Sequence, residues 1–556
     1  MKIKQCLIAG ILLFLSEAVL VAQDYNLGIP FIQSFPKSSY QAGAPNGDID
    51  QEASGIMYFA NSEGLLSYDA SSWELFPLPN KSVLRSIQLG DNGRIYVGGQ
   101  NEFGYFEGNE RGVLRFHSLK SLIPAQHEDF EDVWELVVRD SLILFRSQNK
   151  IYCIDGGRCI VLDDQAYVYL QEEGGEIYAA SQEGGLFVFK DKSFIRNGQF
   201  PAEKPIRING LFRLGNDLLI SSQRQGLFEW NAQGISPWNS AATSFLKELE
   251  VSCMQKISEG SFALGTAFGG VLMLDVKGRL FQWIKKEDGL SANGVLSIYL
   301  DKGKNLWLGL EKGINLIQIN SPFRRIFPDS PQRGSGYDVE IFRDQIYLST
   351  RSGLYRAPWK PYYRPEKARS FELIPASRGQ SWGLDLLDDH LILNHENGIF
   401  EVDNGEVKEI LTDRGFWKIH ELKARPGYYF AGTYSGISFF KDGKAGIEYV
   451  FDLDSLLESS RFFAQDDRGN IWMAQPYRGI FRIELAEDLR KSSVHKYGAK
   501  EGLPSDLNNH LFEIGDEIIF CGDKGSFLFD YEKERFEPFP KFNDIFGDST
   551  KIRRLQ

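Results

Sequence analysis

"DDRGNIWMAQPYRGIFRIE" (466–484) is one of several renderings of a single phrase in this 556-residue chain. "DKGKNLWLGLEKGINLIQI" (301–319), "GDNGRIYVGGQNEFGYFE" (90–107) and "EEGGEIYAASQEGGLFVFK" (172–190) repeat it. Each sets an acidic or Gly-containing turn, a short apolar strand carrying an aromatic, a second turn near a Gly, and another strand. Runs of four to six β-branched, aromatic and leucine residues between Gly, Asn, Asp, Ser and Pro turns follow hairpin grammar. No segment beyond the N-terminal stretch sustains a helical period; "SDLNNHLF" and "SFLKELE" come nearest and are too short.

Marked by the second turn, copies fall at Gly64, Gly104, Asn149, Gly184, Gly226, Gly269, Gly313, Gly353, Gly398, Gly436, Gly479 and Gly525. A period of about 40–45 residues is the length of one four-stranded propeller blade. A lone antiparallel sheet cannot bury both faces, and radial stacking lets each sheet cover its neighbour. The fold class is therefore all-β: tandem β-propellers of four-stranded antiparallel blades. Tyr58, Tyr96, Tyr178, Trp307, Tyr347 and Trp472 share one strand position and read as packing between blades.

Twelve copies exceed one ring, since four to eight blades are usual. The expected division is a seven-bladed first ring over 48–333 and a second over 334–556 with about five blades. In the copy at 294–327, "FRRIF" reads as the fourth strand. Within the N-terminal segment 23–47, "FIQSF" (Phe31–Phe35) resembles an outer strand without its inner three, as ring closure by strand exchange requires. The final "STKIRRLQ" matches an inner strand, so the chain is expected to be a piece of a longer protein whose second ring is incomplete.

The hydrophobic fraction of 42% excludes a disordered chain, and the net charge of -13 disfavours nucleic acid or an anionic membrane as partner. Residues 1–22 pair two lysines with a short apolar run and small residues, the order of a cleaved export signal. The later cysteines, Cys153, Cys159, Cys253 and Cys521, are too scattered for a disulfide scaffold or zinc. Cys153 and Cys159 flank "IDGGR", where one residue of register separates a possible bridge from two free thiols.

"KEDGLSANGVLSIYLDKGKNLWLGLEKGINLIQ" (from Lys286) and "KEGLPSDLNNHLFEI" (from Lys500) resemble the two-component regulator propeller family, with its GL(P/S) and Asp-x-x-Gly-x-(I/L)-W turns. The resemblance spans nearly the whole chain after the signal and is sharpest at 289–317 and 466–483. It implies a periplasmic sensor region of a regulator, often of fourteen blades in two rings, that recognises an oligosaccharide and controls carbohydrate-utilisation genes. It also implies that an inner-membrane helix, a kinase or helix-turn-helix output, and any homodimer contact lie downstream, so the covered region is expected to be non-catalytic and without cofactor or metal.

Candidate ligand-binding residues sit on second turns and inner-strand entrances, which share one propeller face. The first-ring rim is amide-rich: Asn61, Gln100, Asn101, Gln148, Asn149, Gln182, Gln223 and Gln225, with Arg224 beside them. Amides both donate and accept, as sugar hydroxyls do, although polar turns are also the default. Trp134, Tyr167 and Tyr169 there, and Trp382, Trp417 and Phe462 in the second ring, offer flat faces; Arg207 and Asn209 stand at the same entrance. The second rim adds Arg351, His395, Glu396, Tyr434, Tyr477 and Arg478, whose arginines suit a carboxylate or sulfate. Rival readings are a secreted glycosidase or lyase, for which paired carboxylates suffice, and a protein-binding scaffold. No nucleophile elbow, metal-ligand spacing or phosphate loop is found, and His390 and His395 fall on opposite strand faces.

Overall fold

The computed structural model describes residues 27–547, apart from 111, 149, 202–205, 241, 327–334, 361, 364–370, 445, 460 and 516. The export signal, Asn149, the boundary at 333/334 and the final "STKIRRLQ" strand lie outside them. Among the described residues there are twelve four-stranded antiparallel sheets, in which consecutive strands pair as neighbours save at one position. The chain divides into two compact units, Met1–Phe327 with Pro361–Arg369, and Pro328–Lys360 with Ser370–Gln556.

In the first unit seven inner strands touch in a closed circuit, the seventh (Val295–Leu300) lying against the first (Asn46–Gln51). The fourth strand of the seventh sheet is Phe31–Phe35 rather than "FRRIF", pairing in register from Phe31 with Gln318 to Phe35 with Ile314. The orphan strand wins because Phe35 is buried and stacks 5.7 Å from Trp307 while meeting Tyr68 and Trp73 of the first blade. Phe323, in the displaced segment, is 81% exposed. Five further blades follow in the second unit, with inner strands Gly336–Phe342, Ser381–Leu387, Phe416–Glu421, Phe462–Gln465 and His510–Ile514.

The shared aromatics are scaffold. Tyr58, Tyr96, Tyr178, Trp307, Tyr347 and Trp472 are all buried between neighbouring sheets. The Asp-to-Trp spacing has a direct cause: Asp301 accepts the Trp307 indole N–H at 3.0 Å, and Asp466 accepts that of Trp472 at 2.8 Å, so no buried donor is left unpaired.

The recurring glycine answers two needs. Gly64 adopts φ 141°, and a Cβ there would lie 2.4 Å from the Phe76 carbonyl of the outer strand. At Gly104 and Gly398 only the close approach applies, to the carbonyls of His117 and Leu411; in blades 2 and 6 the left-handed residues are Asn101 and Gly270.

Inner strands have no backbone ladder to the next blade, so side chains satisfy their free edges. Asp48 and Asp50 accept the N–H groups of Ile87 and Leu89, Gln171 donates to Leu211 O, Asp338 accepts from Leu384 N, and Asp385 from Ile419 N. Burial pushes the Asp48 carboxyl up to about 7.

Cys153 and Cys159 are free. The hairpin loop has two residues, Gly156 and Gly157, pairing Asp155 with Arg158; Cys159 opposes Ile154 and Cys153 opposes Ile160, which places the thiols on opposite faces.

Candidate functional site

Most inner strands carry a β-bulge near their first residue, where one residue of the inner strand has no opposite number on its partner. A bulge re-aims the extra side chain away from the blade interior. In the first unit the extra residues include Arg85, Asn209, Ser252 and Leu296. In blades 8, 9 and 10 they are Tyr337, Trp382 and Trp417.

These three rings, with Tyr434 from the second turn of blade 10, form a continuous platform. Ring centroids lie 5.4 Å apart for Tyr337 and Trp382, 4.5 Å for Trp382 and Trp417, and 4.7 Å for Trp417 and Tyr434. The Trp382 indole donates to the Tyr434 hydroxyl at 2.7 Å, Trp417 donates to Ser459 Oγ at 3.3 Å, and Gln380 donates to the Tyr337 hydroxyl at 2.8 Å. A Cβ on Gly415 would sit 2.5 Å from the Tyr434 ring, so this glycine lets the tyrosine lie against backbone. Tyr337 and Tyr434 remain about 40% exposed, at 39% and 41%. Burial raises the Tyr434 phenol above its ordinary pKa, keeping the hydroxyl protonated. Glu396 accepts the Gln380 N–H at 2.8 Å. Such a surface offers apolar faces edged by hydroxyl, amide and carboxylate groups, the complement of a sugar ring.

Of the other second-rim residues, Tyr477 is 75% exposed, Arg351 is exposed, and Arg478 is exposed with its guanidinium 3.9 Å from Glu458. Phe462 meets His510 edge-on. His395 is not on the surface: it is 2% exposed, accepts the Asn397 N–H through Nδ1, and burial lowers its pKa. Its strand position pairs with Ser381 and points it inward.

The first rim is less open than its composition implies. Asn61 is fully buried, bonding Gly43 O and Asn46. Tyr167 and Tyr169 are core residues, Tyr167 packed between Phe187 and Phe194. Asn209 donates to Val251 O, while Gln223 and Arg224 both engage Glu250, at 3.0 and 2.9 Å. Asn101 accepts from Lys120 at 3.1 Å. Gln100, Gln182 and Arg207 are exposed. Trp134 is 39% exposed and carries Arg85 over its ring at 4.9 Å, with Arg85 paired to Asp132 at 3.0 Å. Among the described residues no cluster of His, Cys, Asp or Glu has the makings of a metal site.

Tyr337, Gln380, Ser459 and Arg461 of the platform were not singled out from sequence. Aligning "GYDVEIF", "SWGLDLL" and "FWKIHE" by inner strand would have placed Tyr337 with the two tryptophans.

His420 stacks on Phe430 at 5.1 Å on the blade 10 inner strand, and burial with Lys418 and Lys423 nearby lowers its pKa to about 3. The folded state thus refuses a proton that the unfolded chain takes near 6.5, so stability is retained above that pH and lost as pH falls toward 3. At pH 5 the loss is about 2 kcal/mol. Urea unfolding of the second unit at pH 7 and 5 is expected to show it, and His420→Phe to remove most of it.

Radially packed four-stranded blades with a ring-lined rim define a β-propeller protein. Structural comparison agrees: the fold is similar to the extracellular domain of a hybrid two-component system from B. thetaiotaomicron, with a TM-score of 0.67 and 16% identity over 92% of this chain and 72% of that one. The extracellular domain of a one-component system from the same organism covers 91% and 72% at a TM-score of 0.43 and 17% identity. Virginiamycin B lyase from Staphylococcus aureus matches 52% of this chain and 99% of its own at a TM-score of 0.41 and 11% identity. No family model matches the chain, and no curated protein matches it by sequence.

Proposed function

We propose that this chain is the periplasmic, non-catalytic sensor region of a two-component-type regulator of carbohydrate use, and that it binds an oligosaccharide on the Tyr337–Trp382–Trp417–Tyr434 platform. The carrying observation is the run of ring contacts at 4.5–5.4 Å, edged by hydrogen-bonding groups. The export signal, the motif resemblance and the shared architecture with an extracellular two-component domain support the setting. By the same resemblance the membrane helix, the output module and any dimer contact would lie outside these residues, and the two units would be separate rings. The first rim, at Trp134, Gln182 and Arg207, is the secondary binding surface under this reading.

The test is a panel of neutral and acidic oligosaccharides titrated against the purified chain, read by tryptophan fluorescence and calorimetry. Trp417→Ala is expected to weaken binding about fivefold or more, as loss of one stacked ring costs about 1–3 kcal/mol. Unchanged affinity in Trp417→Ala and Trp382→Ala would remove the platform from the site. Turnover of any panel member would overturn the non-catalytic reading.

A further inference from the structure

Arg461 stands beside the platform, at the start of blade 11. Its guanidinium lies 5.3 Å from the Trp417 ring centroid and 5.7 Å from that of Phe462, and the residue is exposed. Among the described residues it makes no ion pair and no hydrogen bond. Several other arginines of this unit are paired, Arg343 with Asp389 and Asp403, Arg414 with Asp413 and Asp452, and Arg482 with Glu484 and Glu534, whereas Arg461 is the one that lies over a platform ring without a carboxylate partner among the described residues. In a chain with 75 acidic and 62 basic residues, a guanidinium that lies over rings and pairs with no carboxylate among the described residues is a candidate contact for an anionic group. Ring contact sets the group beside Trp417 and leaves its N–H edge free, the arrangement that accepts a planar carboxylate through two parallel hydrogen bonds.

We infer that the platform's ligand is acidic: a uronate-containing oligosaccharide whose sugar ring stacks on Trp417 and Trp382 while its carboxylate pairs with Arg461. Planarity favours carboxylate over sulfate. Glu396, tied to Gln380 near Tyr434, places negative charge elsewhere on the platform, so the ligand binds in one orientation, acid group toward Arg461. This rests on the binding reading above and adds the charge of the ligand to it.

The full chain is titrated with oligogalacturonate, oligoalginate and unsulfated chondroitin fragments, each beside the same fragments after carboxyl reduction. At least one acidic set is expected to bind about tenfold or more tightly than its reduced form, the worth of a charge-assisted bond. Arg461→Gln is expected to erase that preference, bringing the acidic form to the affinity of the reduced one, and Arg461→Lys to restore part of it. Added salt is expected to weaken the acidic ligand alone. Equal binding of acidic and reduced forms, a preference that survives Arg461→Gln, or binding by neutral sugars only would overturn the inference and leave the platform standing. Binding that ignores both Arg461→Gln and Trp417→Ala would sink the two together.

Discussion

Phe35→Ala is expected to destabilise the first unit by about 3–5 kcal/mol, the range for truncating a buried aromatic. Phe35 belongs to a five-residue strand that reaches the seventh blade from the opposite end of the sequence. Its ring touches Trp307 on its own sheet and Tyr68 and Trp73 on the first blade, at 5.3–5.7 Å. Removing it opens a cavity at the seam where the ring closes, so the loss exceeds that of one packing contact and reaches the strand pairing. Denaturant unfolding followed through Trp73 and Trp307 emission reads the change, and limited proteolysis should find the segment before residue 46 cut first. A loss below about 1 kcal/mol would mean that closure does not depend on this strand.

The second large effect is expected at Trp472. It is fully buried and meets Tyr497, Phe520, Phe529, Phe536 and Tyr531 while donating to Asp466. Trp472→Ala should cost about 3–5 kcal/mol in the second unit. Asp466→Ala, which leaves the indole N–H buried without its acceptor and frees Asn470 N–H and the Tyr531 hydroxyl, should cost about 1–3 kcal/mol. The two losses are predicted to be non-additive, because the first substitution already removes the donor the second strands. A double variant whose loss equals the sum would separate the turn from the core.

Much of the fold was legible because a propeller repeats. A hairpin unit that cannot bury its own faces writes its requirements at every copy, and the Asp, Gly and Trp positions at 466–484 recur at 301–319 for the same hydrogen bond and the same close approach. The closing role of Phe31–Phe35 could be read because an outer strand stood alone. "FRRIF" misled because local β-propensity does not know that another strand already occupies the sheet edge.

The candidate site was legible in part. Trp382, Trp417 and Tyr434 were marked by residue type and by their place at blade entrances, and the structure brings them together. Tyr167 and His395 carry the same local signature and are buried, since one residue of register along a strand exchanges the core side for the open one.

The sequence by itself determined the unit, its number and its antiparallel hairpin order, for these follow from periodicity and turn chemistry within some forty residues. Only the tertiary structure decided which rim side chains are free. Bulges that turn Tyr337, Trp382 and Trp417 outward, and the partners that consume Asn209, Gln223 and Arg224 but leave Arg461 unpaired, are set by neighbouring blades, across distances no local pattern encodes.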